Sequence, residues 1–140
     1  MNTAATRSVV IEREMPHPSE KIWRALTQGS LIKEWLMDND FRPAVGHEFT
    51  FRSKPVPHWD GVIDGKVLVV DEPNKRLSYT WAAMGLESVV TWTLTPTEAG
   101  TLVRMEHAGF PVENVAAYNG AKYGWKNFIS GLEKVAAELE

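Results

Sequence analysis

Apolar and polar residues alternate along most of this chain, and the alternation gives way to helical spacing in two regions. Residues 8–15 predict a first strand, with Val9 and Ile11 on one face and Val10 on the other. Pro16 and Pro18 end it. Pro18 suits the first position of a helix, where its missing N–H leaves no bond unmade, and Glu20 complements the positive helix end. Ile22, Ala25 and Leu26 follow at helical spacing until Gly29 closes the segment, and Ser30 caps a second short helix running to Trp35. From residue 45 the period returns to two. Residues 45–52 set Phe49 and Phe51 against Glu48, Thr50 and Arg52, while residues 76–81 set Leu77, Tyr79 and Trp81 against Arg76, Ser78 and Thr80. Residues 88–95 place Val90, Trp92 and Leu94 on one face, and residues 101–107 do the same with Val103, Met105 and His107. Residues 61–70 form a longer strand whose two apolar faces leave its inward side undetermined. Turn signals at 71–74 and 96–100 keep the connections short, which predicts an antiparallel meander with one wet face.

The last segment changes period again. At about 100° per residue, Ala121, Trp125, Phe128, Leu132, Val135 and Leu139 share one stripe, with Lys122, Lys126, Ser130 and Glu133 towards the opposite side. This predicts a long amphipathic helix that covers the sheet. Gly120, Gly124 and Gly131 lie along one flank of the stripe, each at about 1 kcal/mol relative to Ala. Either the helix approaches its neighbours closely there, or the missing side chains leave room for something else. A curved sheet gripping one helix, roofed by two short helices, makes a cavity between them plausible.

Composition sharpens this picture. The 140 residues, with 44% hydrophobic and 24% charged, fit a single domain over residues 1–140, with residues 1–7 as a flexible tail. Six Trp supply large apolar bodies with one N–H each, suited to a core or to a cavity wall. No cysteine is present, which removes disulfides, thiolate metal sites and cysteine nucleophiles. A net charge of −3, with 15 Lys and Arg scattered among 18 acids, argues against nucleic acid. The longest apolar run, Val67 to Val70, is far too short for a membrane span, and residues 1–6 lack the apolar stretch of a signal peptide. A cytoplasmic location is expected, without membrane association.

Several strings together resemble a known family. Ile22-Trp23-Arg24-Ala25-Leu26-Thr27, Trp59-Asp60-Gly61-Val62 and Gly65-Lys66-Val67-Leu68-Val69-Val70-Asp71 are joined by Leu77-Ser78-Tyr79-Thr80-Trp81 and by Val89 through Pro96. Glu106-His107-Ala108-Gly109-Phe110 and Gly124-Trp125 complete the set. They span nearly the whole chain in order and resemble the bacterial relatives of the activator of heat-shock-protein-90 ATPase. Those relatives lie in the START-like (SRPBCC, helix-grip) superfamily, with the birch-pollen-allergen fold and the polyketide cyclases. The resemblance implies an α+β helix-grip fold, a curved antiparallel sheet wrapped around a long C-terminal helix with two short helices after the first strand. It also implies a cavity for a hydrophobic small molecule, or a protein-binding surface of the co-chaperone kind with a link to stress response. It brings no shared catalytic set.

The residues themselves offer little conventional chemistry. His17, His47, His58 and His107 include no pair at metal-ligand spacing, and His47-Glu48 has Phe51 where a zinc-protease motif needs its second His. Ser88 lacks a nucleophile elbow, and no glycine-rich phosphate loop exists. No metal, cofactor or catalytic residue is therefore assigned. Asp38, Asp40 and Glu87 read as solvated loop acids. His107 stands apart, because alternation sends it inward near a strand end. It is either a core imidazole bonded to a carbonyl or a Trp, or an orienting donor or general base at the cavity end. The expected ligand wall comprises Trp35, Phe49, Phe51, Trp59, Trp81, Trp92, Met105, His107, Tyr118 and Trp125. Three functions compete: a binder of an apolar or aromatic small molecule, a cyclase- or hydratase-like enzyme using His107, and a protein-interaction module of co-chaperone or regulatory type. Exposed aromatic surface would also suit a homodimer.

Overall fold

The computed structural model describes residues 6–57 and 59–139. Strands β1 (Thr6–Met15), β2 (Asp38–Asn39), β3 (Glu48–Arg52), β4 (Val62–Asp71), β5 (Arg76–Ala83), β6 (Leu86–Pro96) and β7 (Thr101–Pro111) build one sheet. Its order is β1-β7-β6-β5-β4-β3-β2, antiparallel throughout. Helices α1 (Ser19–Thr27) and α2 (Gly29–Trp35) follow β1, and α3 (Val115–Glu138) closes the chain.

Alternation places the sheet's concave face where the pattern predicts it. Val90, Trp92 and Leu94 pair with His107, Met105 and Val103 across β6 and β7, and all six are buried. On the far side of β7, Val9 and Ile11 pair with His107 and Met105. The ambiguous fourth strand is resolved by a bulge between Val67 and Val69. Val67 is 1% exposed and Leu68 41%; the extra residue re-aims the side chains beyond it, so apolar residues fall on both faces.

Some boundaries differ from the sequence-based expectation. Thr6 and Arg7, expected in the tail, pair with Pro111 and Phe110 as the start of β1; residues 1–5 lie outside the described residues. Gly29 does not end α1. It is the first residue of α2, and a Cβ there would stand 2.8 Å from the Asn39 Oδ1. The Asn39 amide, on the short strand β2 that no periodicity announces, donates to the Gly29 carbonyl at 3.1 Å. The glycine is needed for close approach, not for a helix stop. Helix α3 begins at Val115, several residues before the apolar stripe, where Asn114 caps it by accepting from the Ala117 N–H.

The two halves of α3 do different work. Its C-terminal half buries Ile129, Leu132, Val135 and Ala136, and it packs against α1, α2 and β1. Ile129 and Ala136 are buried more deeply than Phe128 and Leu139, which rotates the packed face slightly from the expected stripe. Gly131 lets α2 come close: a Cβ there would stand 3.2 Å from the Trp35 Cβ and 3.6 Å from that residue's backbone. Trp35 is itself pinned by its indole N–H donating to the Ala25 carbonyl at 2.9 Å. Gly131→Leu should therefore destabilise the fold by about 2 kcal/mol through overpacking, despite its better helix propensity. Urea unfolding checks this, and an unchanged midpoint would mean that α2 and α3 are not in tight contact.

Candidate functional site

Over its N-terminal half, α3 stands off the sheet. Between them lies a cavity of about 290 Å³. Its sheet-side wall is the β5–β6 hairpin (Trp81, Ala83, Met84, Leu86, Ser88) with the end of β7 (His107, Phe110). Its helix-side wall is Ala116, Ala117, Gly120, Ala121, Gly124, Trp125 and Phe128, and Met37, Trp59 and Ile63 close the remainder. Small residues at 116, 117, 120 and 121 keep the helix surface shallow. A Cβ on Gly120 would meet nothing within 4 Å, and one on Gly124 only the Phe128 Cε2 at 3.9 Å. Both explanations of the glycine flank thus hold, on different residues: Gly131 serves close packing, Gly120 and Gly124 leave space. Trp59 and Met84 also line an adjoining open groove with Pro55, Val56, Pro57 and Asp60.

Polar groups on this wall are few and engaged with one another. The Trp125 indole N–H donates to His107 Nδ1 at 2.9 Å. An indole nitrogen can only donate, so Nδ1 is unprotonated and the neutral ring carries its proton on Nε2. Nε2–H donates to the Ser88 Oγ at 2.7 Å, and the Ser88 hydroxyl donates to the Trp81 carbonyl at 2.8 Å. The relay joins α3 to β7, β6 and β5 with every participating group satisfied. Burial pushes the His107 pKa down to about 4, so the ring is neutral at pH 7. Neither ring nitrogen is free to take a proton from a bound molecule. The Ser88–His107 pair also has the opposite tautomer from that of a nucleophile and its base.

Of the ten expected wall residues, the structure brings Trp59, Trp81, His107 and Trp125 to the cavity. Trp35, Phe49, Phe51, Trp92 and Met105 lie behind it in the buried core. Trp92 is fully enclosed; it packs edge-on to Trp125 at 5.7 Å and to Trp35 at 5.8 Å, and its indole donates to the Tyr79 hydroxyl at 3.0 Å. Phe49 and Phe51 join Phe41 and Tyr79 in a ring cluster under β3. Tyr118 faces β1, where the Arg7 guanidinium sits 3.9 Å from its ring centre. Alternation finds the inward face but not which inward residues lie beyond the docked half of the helix. Met37, Met84, Phe110 and the alanines of α3 were not expected in the wall; Phe110 extends past the predicted end of its strand, and Met84 sits in a hairpin turn. Among the described residues no cluster of three or more His, Asp or Glu could hold a metal ion, and no helix is long and apolar enough to cross a membrane. His58 lies outside the described residues.

Comparison with known proteins gives a consistent answer. Residues 16–137 match the family model described as Activator of Hsp90 ATPase homolog 1-like protein. The crystal structure of protein MLL2253 from Mesorhizobium loti is 51% identical, covers 96% of this chain and 99% of its own, and superposes with a TM-score of 0.88. The solution structure of Bacillus halodurans protein BH1534 is 25% identical over 93% of this chain and 96% of its own, with a TM-score of 0.77. CalU16 from Micromonospora echinospora, at 24% identity, 95% and 78% coverage and a TM-score of 0.76, shares the fold. No protein of curated function matches. The sheet, the two short helices and the gripped terminal helix are the α+β helix-grip arrangement of the START-like superfamily.

Burial of His107 makes stability depend on pH in a defined window. Unfolded His107 takes up a proton near its ordinary value of 6.5, whereas the folded ring resists until about 4. Between these values the unfolded state binds more protons, so stability falls as pH falls, by on the order of 3 kcal/mol across the window. In His107→Gln the amide oxygen and nitrogen can accept from Trp125 and donate to Ser88 without titrating. Urea unfolding at pH 7 and pH 4.5 should show the wild type losing more stability than this variant, and parallel losses would contradict the assignment.

Proposed function

The chain belongs to the family of Activator of Hsp90 ATPase homolog 1-like proteins, and from that membership and its cavity we propose that it binds a small apolar molecule between sheet and helix. One observation carries the proposal: Gly120 and Gly124 stand in the middle of a helix, touch almost nothing, and front a cavity of about 290 Å³. Each weakens the helix by about 1 kcal/mol relative to Ala, and no packing contact at these two positions requires it. Interiors are otherwise filled, and the exposed Gly120 and half-buried Gly124 leave room beside this apolar wall at the expense of helix stability, as a ligand site would require. The wall is apolar, so affinity would come chiefly from buried area, at roughly 25 cal/mol per Å².

The relay supports a binder over an enzyme that uses His107 as acid or base, because both ring nitrogens are already engaged. Its role in this reading is to hold α3 at a set distance from the sheet. Trp59, Trp81, His107 and Trp125 would form the rigid aromatic part of the site.

Gly124→Leu tests the proposal without disturbing the core. Its side chain would enter the cavity, so binding of the neutral fluorescent probe N-phenyl-1-naphthylamine should weaken at least tenfold. The thermal midpoint should hold or rise, because a glycine has been replaced by a better helix former. Undiminished binding in a folded variant would place the probe elsewhere and overturn the proposal.

A further inference from the structure

We infer that the molecule bound in this cavity is uncharged and carries a hydrogen-bond acceptor, a carbonyl, ester or ether oxygen, that takes the indole N–H of Trp81. The inference rests on the cavity being a binding site and adds the chemistry of its occupant.

The polar groups on the wall can be accounted for one by one. Trp59 donates its indole N–H to the Val62 carbonyl at 3.1 Å. Trp125, His107 and Ser88 are engaged in the relay that ends on the Trp81 carbonyl. Among the described residues this leaves the Trp81 indole N–H as the one strong side-chain hydrogen-bonding group on the wall without a partner. Trp81 shares the concave face with the buried Leu77 and Tyr79, which lie four and two residues before it on β5. The one side-chain nitrogen or oxygen both enclosed and unpartnered among the described residues is Arg7 Nε. The Trp81 N–H therefore keeps access to solvent, and Trp81 lines this cavity but not the adjoining groove. An indole N–H can only donate. A ligand that displaces water from it must supply an acceptor or leave the donor unpaired in an apolar place.

Charge is excluded by the same wall. None of the residues that form it is Asp, Glu, Lys or Arg. The nearby N-terminal turn of α3 carries only a partial charge, and Asn114 already takes its Ala117 N–H. A carboxylate brought here would lose its hydration and find no cationic side chain on the wall, which disfavours it.

Three probes of one skeleton separate these effects: methyl 2-naphthoate, 2-naphthoate and 2-ethylnaphthalene, each competed against N-phenyl-1-naphthylamine at pH 7.5. The ester should bind about three- to tenfold more tightly than the hydrocarbon, the effect of one neutral hydrogen bond. The carboxylate should bind at least tenfold more weakly than the ester. Trp81→Phe should bring the ester-to-hydrocarbon affinity ratio to about one, whatever it does to the hydrocarbon's own binding. A carboxylate that binds as well as the ester, or an ester no better than the hydrocarbon, overturns the inference while leaving the cavity as a binding site. Equal weakening of all three probes in Trp81→Phe also overturns it, since the residue would then act by shape alone. Failure of all three probes to compete removes the binding site and the inference together. The wild-type ratios stand even if the variant does not fold.

Discussion

The hydrogen bond from the Trp125 indole to His107 ties the long helix to β7 at the cavity wall, and the proposed site depends on that tie. It lies at the point where α3 changes character. On its C-terminal side the helix is docked, with Ile129, Leu132 and Val135 buried and Gly131 pressed against Trp35. On its N-terminal side the helix presents Ala116, Ala117, Gly120 and Gly124, which have too little side chain to reach the sheet. Without a directional tie at Trp125, apolar surfaces facing each other across a gap would tend to close on it. A satisfied imidazole at the wall provides that tie, and it adds no charge.

The relay also explains why a histidine and a serine 2.7 Å apart are not arranged as a base and its nucleophile. The partner of the other ring nitrogen decides the tautomer. A carboxylate or carbonyl there would put a proton on Nδ1 and free Nε2 to act as a base; an indole N–H does the reverse. In this chain that choice is made by Trp125, which directly follows Gly124 on α3. The same helix segment therefore borders the cavity and occupies the ring's basic nitrogen.

Much of this architecture was legible before any coordinates. Strict alternation around Trp92 and Met105 defined the concave face, and the helical period around Trp125 and Leu132 defined the helix that covers it. The site was legible only in part, for a physical reason. Periodicity reports which way a side chain points, but not how far along a strand the covering helix lifts away. Trp81 and Trp92 both point inward, yet Trp92 lies under the packed layer and Trp81 near the hairpin where the layers part. The start of α3 was hidden for a related reason: alanines and a glycine carry no bulky apolar period, and those residues are the ones that leave the space. The bulge in β4 and the close approach at Gly29 depend on tertiary contacts that a local pattern does not encode.

In the proposed reading, the space under the N-terminal half of α3 is open to a ligand, while the ring layer behind it is solid core. A nitrogen-edited NMR spectrum of the indole N–H groups, recorded while a neutral apolar probe is titrated in, tests it most directly. Saturable shifts are expected at Trp59, Trp81 and Trp125, with Trp23 and Trp35 unmoved. Shifts at Trp23 or Trp35 without those three, or no shift at any indole as the probe binds, would contradict it.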